Sequence, residues 1–293
     1  MTTHLDPRLV RGAKRALPRP VKDVAGSGLR AVGMLTSPLR RSPDFMLIGA
    51  KRCGSTSLWT YLLEHPQVAP LFPAAQHKKG THWFDRHPER SAAWYRSHFP
   101  LRRPGSDVIG GEASTYYFTH PHAARRAAQV APEVKVIALL REPVARAFSH
   151  YRDEVKLGHE SLSFAEAIAR EEERVAPELA RLLADPMYYS HAHEHLTYLS
   201  WGHYAEHLRR WYDVLPAEQI LVLQSEDLFA DPAGVFHRVT GFLGLRPFDA
   251  AYERHNAAPS ARRDDASSEF LREHYAPHNA ALRALLPDPP TWA

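Results

Sequence analysis

The strongest constraint in this sequence is a repeated alternation of short apolar runs with longer helical patterns. The apolar runs fall at 45–49, 107–110, 135–140 and 219–224. The helical patterns fall at 56–64, 120–131, 143–156, 163–175, 203–214, 232–243 and 267–286. This alternation predicts an α/β fold of three layers, in which helices cover both faces of a central parallel β-sheet. Because such sheets bind ligands at the carboxyl ends of their strands, we expect the functional residues directly after the apolar runs.

A glycine-bearing loop follows the first apolar run and predicts an anion site. Backbone N–H groups at the start of the next helix, together with the helix dipole, favour a phosphate-like group there. Cations and hydroxyls lie in the same stretch, at Lys51, Arg52, Ser55, Thr56 and Ser57. The loop is therefore interpreted as P-loop-like, and a capped helix after a basic turn is the alternative.

The loop departs from that of nucleoside triphosphatases. The pattern G-x-x-x-x-G-K-[ST] needs a lysine where Ser55 stands, although Gly49 and Gly54 have the required spacing. None of the later apolar runs ends in an obvious magnesium-binding aspartate. A P-loop nucleotide kinase therefore stays an alternative, and a metal-free phosphate site is the expectation.

A second anion site is predicted after the third apolar run. Arg141 lies at the expected carboxyl end of that strand, and Ser149 lies about two turns into the following helix. An arginine fork and a hydroxyl suit a phosphate group. Two separate phosphate sites indicate a ligand that is phosphorylated at both ends.

These two segments, 48–58 and 140–151, together resemble the sulfotransferases that use 3′-phosphoadenosine 5′-phosphosulfate (PAPS). The nearest branch includes the heparan sulfate sulfotransferases and their bacterial relatives. Further similar segments occur in order at 201–208, 219–232 and 242–245, so the resemblance covers roughly 44–286. It implies sulfuryl transfer to an acceptor hydroxyl without a metal, with adenosine 3′,5′-bisphosphate (PAP) as the second product.

The resemblance also implies roles for particular residues. The donor's 5′-phosphosulfate is expected at Lys51, Arg52, Cys53, Gly54, Ser55, Thr56 and Ser57, and its 3′-phosphate at Arg141 and Ser149. Arg262 and Arg263 fall where relatives have a basic loop over the 3′-phosphate. Arg52 replaces the usual lysine of the first loop, and because arginine does not lose its proton, its expected role is electrostatic. Lys51 either shares that role or is a solvated neighbour.

The catalytic base departs from the family pattern. Gly80 stands where heparan-type relatives have a glutamate, so His82, with an ordinary pKa of about 6.5, is the leading candidate. The alternative is that His82 only hydrogen-bonds a loop. Glu112 could orient His82, act as the base or bind the acceptor. Lys79 is expected to face the sulfate or an acidic acceptor.

Weaker signals concern the acceptor cleft and a metal. Tyr116 and its neighbour Tyr117 either line the cleft or belong to the core. The alternating histidines at 191–195 fit one face of a strand, but no fourth ligand is evident, and no metal is predicted. Cys53 either has a lowered pKa near a helix start or simply fills a tight turn.

Charge divides the chain into two parts. The net charge is +4, but 1–42 hold nine Lys and Arg against two acidic residues, which leaves the remainder at −3. We therefore expect a basic, Pro- and Gly-containing tail at 1–42, a sulfotransferase domain at 43–293, ordered structure from Asp44, and no nucleic-acid partner. The tail is expected to be disordered, and a basic amphipathic helix that contacts a membrane surface or a partner is the alternative.

Composition adds few constraints. A single cysteine excludes an intrachain disulfide and fits a cytoplasmic setting. We therefore expect a cytoplasmic protein, and a cytoplasmic protein in peripheral contact with a membrane is the alternative. No apolar run is long enough to span a membrane, and no signal peptide is evident. The expected acceptor is a carbohydrate, a glycolipid or a secondary metabolite. A non-catalytic nucleotide-binding module is the remaining alternative, because the usual glutamate is absent.

Overall fold

The computed structural model describes residues 28–253 and 265–293, and it shows a parallel sheet covered by helices. Within the described residues the strand order is β2-β3-β1-β4-β5, and every strand pair is parallel. The strands are β1 (Phe45–Gly49), β2 (Val68–Ala69), β3 (Ile109–Ala113), β4 (Lys135–Leu140) and β5 (Ile220–Gln224). The predicted α/β fold with a central parallel sheet is therefore confirmed.

Helices connect and cover the strands. Before β4 they are α1 (Ser55–Glu64), α2 (Ala92–Arg96) and α3 (Ala123–Val130). Between β4 and β5 they are α4 (Pro143–Leu157), α5 (Phe164–Ala169), α6 (Glu171–Ala184), α7 (His191–His195) and α8 (Tyr204–Tyr212). After β5 they are α9 (Ser225–Ala230), α10 (Pro232–Leu243) and α11 (Asp265–Leu285).

The central strand β1 is buried over its whole length, as its apolar sequence predicts. Phe45 is in register with Gly111 on β3 and with Lys135 on β4. A Cβ atom on Gly111 would lie 2.6 Å from the Phe45 ring, so glycine is needed for the two strands to pair. The strand β3 extends to Ala113, beyond the predicted run at 107–110.

Two predicted elements differ from the structure. The helical pattern at 163–175 is interrupted at Arg170, which ends α5 and begins α6. The histidines at 191–195 form the short helix α7 instead of a strand, because the Ser190 side chain caps it by accepting a hydrogen bond from the His193 N–H.

Order begins earlier than the expected Asp44. Residues 28–35 are helical, and Arg40 pairs with Leu101 in an antiparallel bridge. The Arg40 side chain is buried, donates to the Phe99 carbonyl at 2.6 Å and lies over the Phe72 ring. The segment 28–43 is thus packed on the domain, whereas the rest of the predicted tail lies outside the described residues.

The first part of this segment, 28–35, is helical. Its apolar side chains are largely exposed, with Leu35 82% and Leu39 65% accessible. Within the described part of the chain, no helix combines the length and hydropathy needed to cross a membrane.

Candidate functional site

The loop between β1 and α1 presents an uncapped helix start at the carboxyl edge of the sheet. Gly54 precedes α1 with φ 87° and, having no side chain, makes no side-chain cap to the first turn. A side chain at position 54 would be unfavourable for two reasons. Its Cβ atom would lie 3.0 Å from the Phe229 ring, and its backbone would be strained in the left-handed conformation. The first turn of α1 can therefore receive an anion, as predicted for this loop.

Lys79 brings a cation to this helix start from a distant segment. Its Nζ donates to the Ser55 Oγ at 3.0 Å and to the Thr56 Oγ1 at 3.2 Å. Burial lowers the Lys79 pKa to about 8. A cation thus reaches the hydroxyls of α1 although position 55 itself is serine.

The two predicted phosphate sites lie next to each other. The Arg52 Nε donates to the Ser149 Oγ at 3.1 Å, and the Arg52 guanidinium is 3.1 Å from the Asp153 carboxylate. Arg141 donates to the Arg52 carbonyl at 3.2 Å. The structure therefore brings Arg52, Arg141 and Ser149 together beside the first turn of α1.

Lys51 has a different environment from its neighbour. Its Nζ contacts the buried Glu154 carboxylate on α4 and lies 5.7 Å from the centre of the Trp201 ring. Burial alone would raise the Glu154 pKa, but hydrogen bonds from His150 and His195 and the Lys51 charge outweigh it and hold that pKa well below its usual range. Lys51 is therefore neither a solvated neighbour nor an unpaired cation facing the donor, and its charge is largely compensated.

Cys53 fills the turn between these residues. It is fully buried, and burial raises its pKa to about 11. The thiol therefore stays protonated near neutral pH, which agrees with the turn-filling interpretation rather than a lowered pKa.

His82 forms a dyad with Asp85. Its Nδ1 lies 3.1 Å from one Asp85 carboxylate oxygen and 3.2 Å from the other, while its side chain remains 32% exposed. Burial lowers the His82 pKa, but the hydrogen bond and charge of Asp85 outweigh this, and the net pKa is raised. With Nδ1–H donated to Asp85, the Nε2 atom is oriented to accept a proton, an arrangement known from catalytic histidines.

Glu112 lies inside the sheet instead of at its edge. It is completely buried on β3 and accepts hydrogen bonds from the Thr81 N–H and hydroxyl, both at 2.7 Å, and from the Tyr95 hydroxyl at 2.7 Å. Burial raises the Glu112 pKa and the hydrogen bonds lower it, and because burial is the larger effect, the net pKa is raised. Of the three roles considered for Glu112, the geometry favours orienting the segment that carries His82, since an acceptor cannot reach a fully buried carboxylate.

The missing glutamate at position 80 has a steric cause. A Cβ atom on Gly80 would lie 2.1 Å from the Ser114 Oγ and 2.7 Å from the Ala113 carbonyl. The segment is held this close because the Ala113 N–H donates to the Lys79 carbonyl at 2.8 Å. A side chain at position 80 is thus incompatible with this backbone arrangement.

The remaining predicted site residues are not brought to the site surface. Tyr116 is buried, stacks on Trp201 and shares a hydrogen bond with His193, so it belongs to the core. Tyr117 is also buried. Ser57 lies buried in the first turn of α1. Arg262 and Arg263 lie outside the described residues.

The sequence interpretation missed Asp85 and Glu154. Asp85 lies three residues after His82, and Glu154 lies four residues after His150, so both spacings carried a local signal. A cavity of about 520 Å³ opens beside Asp44 and Lys135, at the amino-terminal edge of the sheet. That edge is opposite to the one that carries the cations, so the cavity does not belong to the site.

A parallel sheet with a glycine-bearing loop after its first strand, and with arginine and lysine side chains at the same edge, is typical of α/β proteins that bind phosphate-like groups. Comparison with known families identifies residues 42–258 as a Sulfotransferase domain. The chain therefore belongs to the sulfotransferase family, and the resemblance noted in the sequence is confirmed.

Individual relatives agree with this assignment. Human heparan sulfate glucosamine 3-O-sulfotransferase 6 is 31% identical over 236 residues, which are 78% of this chain and 60% of that protein. Human bifunctional heparan sulfate N-deacetylase/N-sulfotransferase 3 is 28% identical over 84% of this chain and 30% of its own length. The chain thus spans only part of these curated relatives.

A solved structure of similar size also matches. The sulfotransferase from Alicyclobacillus acidocaldarius superposes with a TM-score of 0.67 at 30% identity, covering 84% of this chain and 96% of that one. The likeness therefore extends over most of the chain.

Proposed function

We propose that this protein transfers a sulfuryl group from PAPS to a hydroxyl group of an acceptor. The observation that carries the proposal is that Lys79 contacts the hydroxyls at the start of α1, while Arg52 of the preceding loop lies against Arg141 and Ser149. The rival P-loop kinase is disfavoured by the family assignment and by serine at position 55.

The residues present fit such a donor. Arg141 and Ser149 would hold the 3′-phosphate, and the first turn of α1 with Arg52 and Lys79 would hold the 5′-phosphosulfate. When bound, PAPS supplies the sulfuryl group. Buried or half-buried cations at this point stabilise negative charge more strongly than they would in water, which is the general source of such catalysis.

His82 is the proposed base. Its Nε2 accepts the proton of the acceptor hydroxyl, and Asp85 holds the ring orientation and stabilises the imidazolium that results. Glu112 and Thr81 fix the backbone that carries His82. This chain's own residues thus provide both proton transfer and charge stabilisation, so the mechanism includes no metal.

A carbohydrate hydroxyl is the proposed acceptor. The support is the likeness to the human heparan sulfate glucosamine 3-O-sulfotransferase 6, whose name gives an oxygen of a glucosamine unit as the acceptor. The acceptor could equally be a glycolipid or a glycosylated secondary metabolite, and transfer of labelled sulfate to a panel of such acceptors separates these cases. Cytoplasmic localisation, with membrane contact through the basic residues before 43, remains part of the proposal.

The base assignment is tested by His82→Ala. Loss of a positioned general base lowers kcat by about 10²- to 10⁴-fold, while PAP affinity should stay unchanged because the donor contacts lie elsewhere. The matched control is His87→Ala, because His87 is an exposed histidine in the same segment. Wild-type kcat in His82→Ala would remove His82 from the mechanism.

The donor site is tested by PAP binding in calorimetry. We expect Arg141→Ala to weaken binding at least tenfold, since a charge-assisted hydrogen bond contributes about 1.5–3 kcal/mol, and Ser149→Ala to weaken it less. The control is Arg209→Ala, which should bind PAP as the wild type does, because Arg209 is an exposed arginine on α8. Unchanged affinity in Arg141→Ala would refute the 3′-phosphate assignment.

The same titration addresses the non-catalytic alternative. Tight PAP binding by the wild type, with no transfer to any acceptor in the panel, would identify a nucleotide-binding module. Measurable sulfate transfer that disappears in His82→Ala would exclude it.

A further inference from the structure

A cluster of three histidines lies where the start of α8 meets α11. It consists of His203, directly before α8, and His274 and His278, which are four residues apart on α11. All three are half-buried, and one ring nitrogen from each can be chosen so that the three atoms lie within 4.8 Å of one another. Neither the nucleotide site nor the proposed base uses them.

The nitrogen positions suit a common ligand. The Nε2 atoms of His203 and His274 are 2.9 Å apart, and the rings of His203 and His278 stack with their centres 3.5 Å apart. Ligand nitrogens around a tetrahedral zinc ion, at 2.0–2.1 Å from the metal, are about 3.3 Å from one another. Because the His203 and His278 rings are almost parallel, both must turn about their side-chain bonds before their nitrogen lone pairs point at one metal ion.

A carboxylate supports the same cluster. The Glu206 Oε1 atom lies 3.6 Å from the His203 Nδ1 and 3.4 Å from the His278 Nδ1. A carboxylate on Nδ1 directs the opposite ring nitrogen, Nε2, towards a metal, as in most histidine-ligated sites. Glu206 also supplies a negative charge near the cation.

We propose that His203, His274 and His278 bind a divalent transition metal of the zinc type, with Glu206 as their carboxylate partner. The site would join α11 to the turn that precedes α8. Two hydrogen bonds already join these parts, because the Tyr275 hydroxyl donates to the carbonyls of Tyr198 and Leu199. The metal's role is structural, so the proposal is independent of sulfuryl transfer.

A second histidine group needs to be distinguished from this one. His159, His191 and His195 also approach one another, but His159 and His191 are exposed. The variant His159→Ala/His191→Ala removes that group and leaves the proposed site intact.

The experiment titrates Zn²⁺ into chelator-treated full-length protein by calorimetry, with Co²⁺ absorption as a report on the ligands. We expect one equivalent to bind to His159→Ala/His191→Ala, with a rise in its melting temperature. His274→Ala/His278→Ala in the same background should lose this equivalent, whereas His237→Ala, an exposed histidine on α10, should retain it.

The conservative variant Glu206→Gln keeps the result interpretable if a histidine variant is unstable. It should weaken Zn²⁺ binding by about 10- to 100-fold, as the loss of a carboxylate partner typically does. Absence of Zn²⁺ binding to His159→Ala/His191→Ala, or unchanged affinity in both Glu206→Gln and His274→Ala/His278→Ala, would overturn the proposal.

Discussion

Two ionisable residues should bound the pH range of the reaction. As the proposed base, His82 must be neutral to accept a proton, and Asp85 raises its pKa above the ordinary value of about 6.5. In the proposed donor site, Lys79 must be protonated to stabilise the leaving phosphate, and burial lowers its pKa to about 8. Activity therefore rises with pH through the His82 pKa and falls again above about 8.

This prediction is checked by the pH dependence of kcat/KM, which reports the free enzyme. Asp85→Asn removes the charge that raises the His82 pKa, so the acidic limb should move to lower pH while kcat falls. In Lys79→Arg the side chain keeps its charge at high pH, so the alkaline limb of the profile should move to higher pH. A profile that neither variant shifts would contradict both assignments.

Single residues also show how far local sequence could predict the site. The glycines, hydroxyls and Arg52 of the first loop, with Arg141 and Ser149, were recognisable because each follows an apolar run at a fixed spacing. The contact between Lys51 and Glu154 was not recognisable from the sequence, since the partners are 103 residues apart. Local spacing identifies which charges are present, but the pairing of charges depends on how the helices pack.

At the level of elements, the segment that carries Lys79 and His82 is positioned by its contact with β3. Gly80 permits that contact, and Glu112 strengthens it through Thr81. In this structure, position 80 therefore has no room for a side chain, which includes the glutamate of the heparan-type relatives.

Gly80→Ala should consequently destabilise the protein. The added methyl group would meet both a side-chain and a backbone oxygen, and overpacking of this kind costs about 1–3 kcal/mol. Gly241→Ala on α10 is the matched control, because nothing lies within 4 Å of its Cβ position. Chemical denaturation measures the free energy of unfolding of both variants. Equal stability of Gly80→Ala and the wild type would show that the segment carrying Lys79 and His82 can move away from β3.

Element boundaries were predictable where the sequence carries its own signals. Lys135–Leu140 agrees with the predicted strand, and Pro143 begins α4 with Glu142 as its cap. The strand β2 and the helix α7 were not predicted, since each is short and depends on its neighbours. Such elements have too few residues for a periodic pattern to be recognised.

On the scale of the whole molecule, the charge division of the sequence needs one revision. The basic excess precedes residue 43, but Arg40 belongs to the packed domain. Residues 28–43 are thus part of the folded unit, and the predicted tail can include only residues before them.

Arg40→Ala should therefore lower stability by about 1–3 kcal/mol, since it leaves the Phe99 carbonyl without its buried partner. Removal of residues 1–27 should leave both the melting temperature and sulfuryl transfer to a small acceptor unchanged. Thermal unfolding and turnover of the two proteins test this contrast. Loss of activity in the truncated protein would assign the tail a direct role in the reaction.

The sequence by itself determined the parallel α/β architecture, the family and the residues of the loop between β1 and α1, because apolar periodicity and loop composition are local properties. Only the tertiary structure decided that Lys79 reaches the hydroxyls of α1, that Glu112 is buried beneath the His82 segment, and that three histidines meet at α11. Each of these results depends on contacts between residues far apart in the chain. Such contacts arise when whole elements pack together, and no spacing along the sequence specifies them.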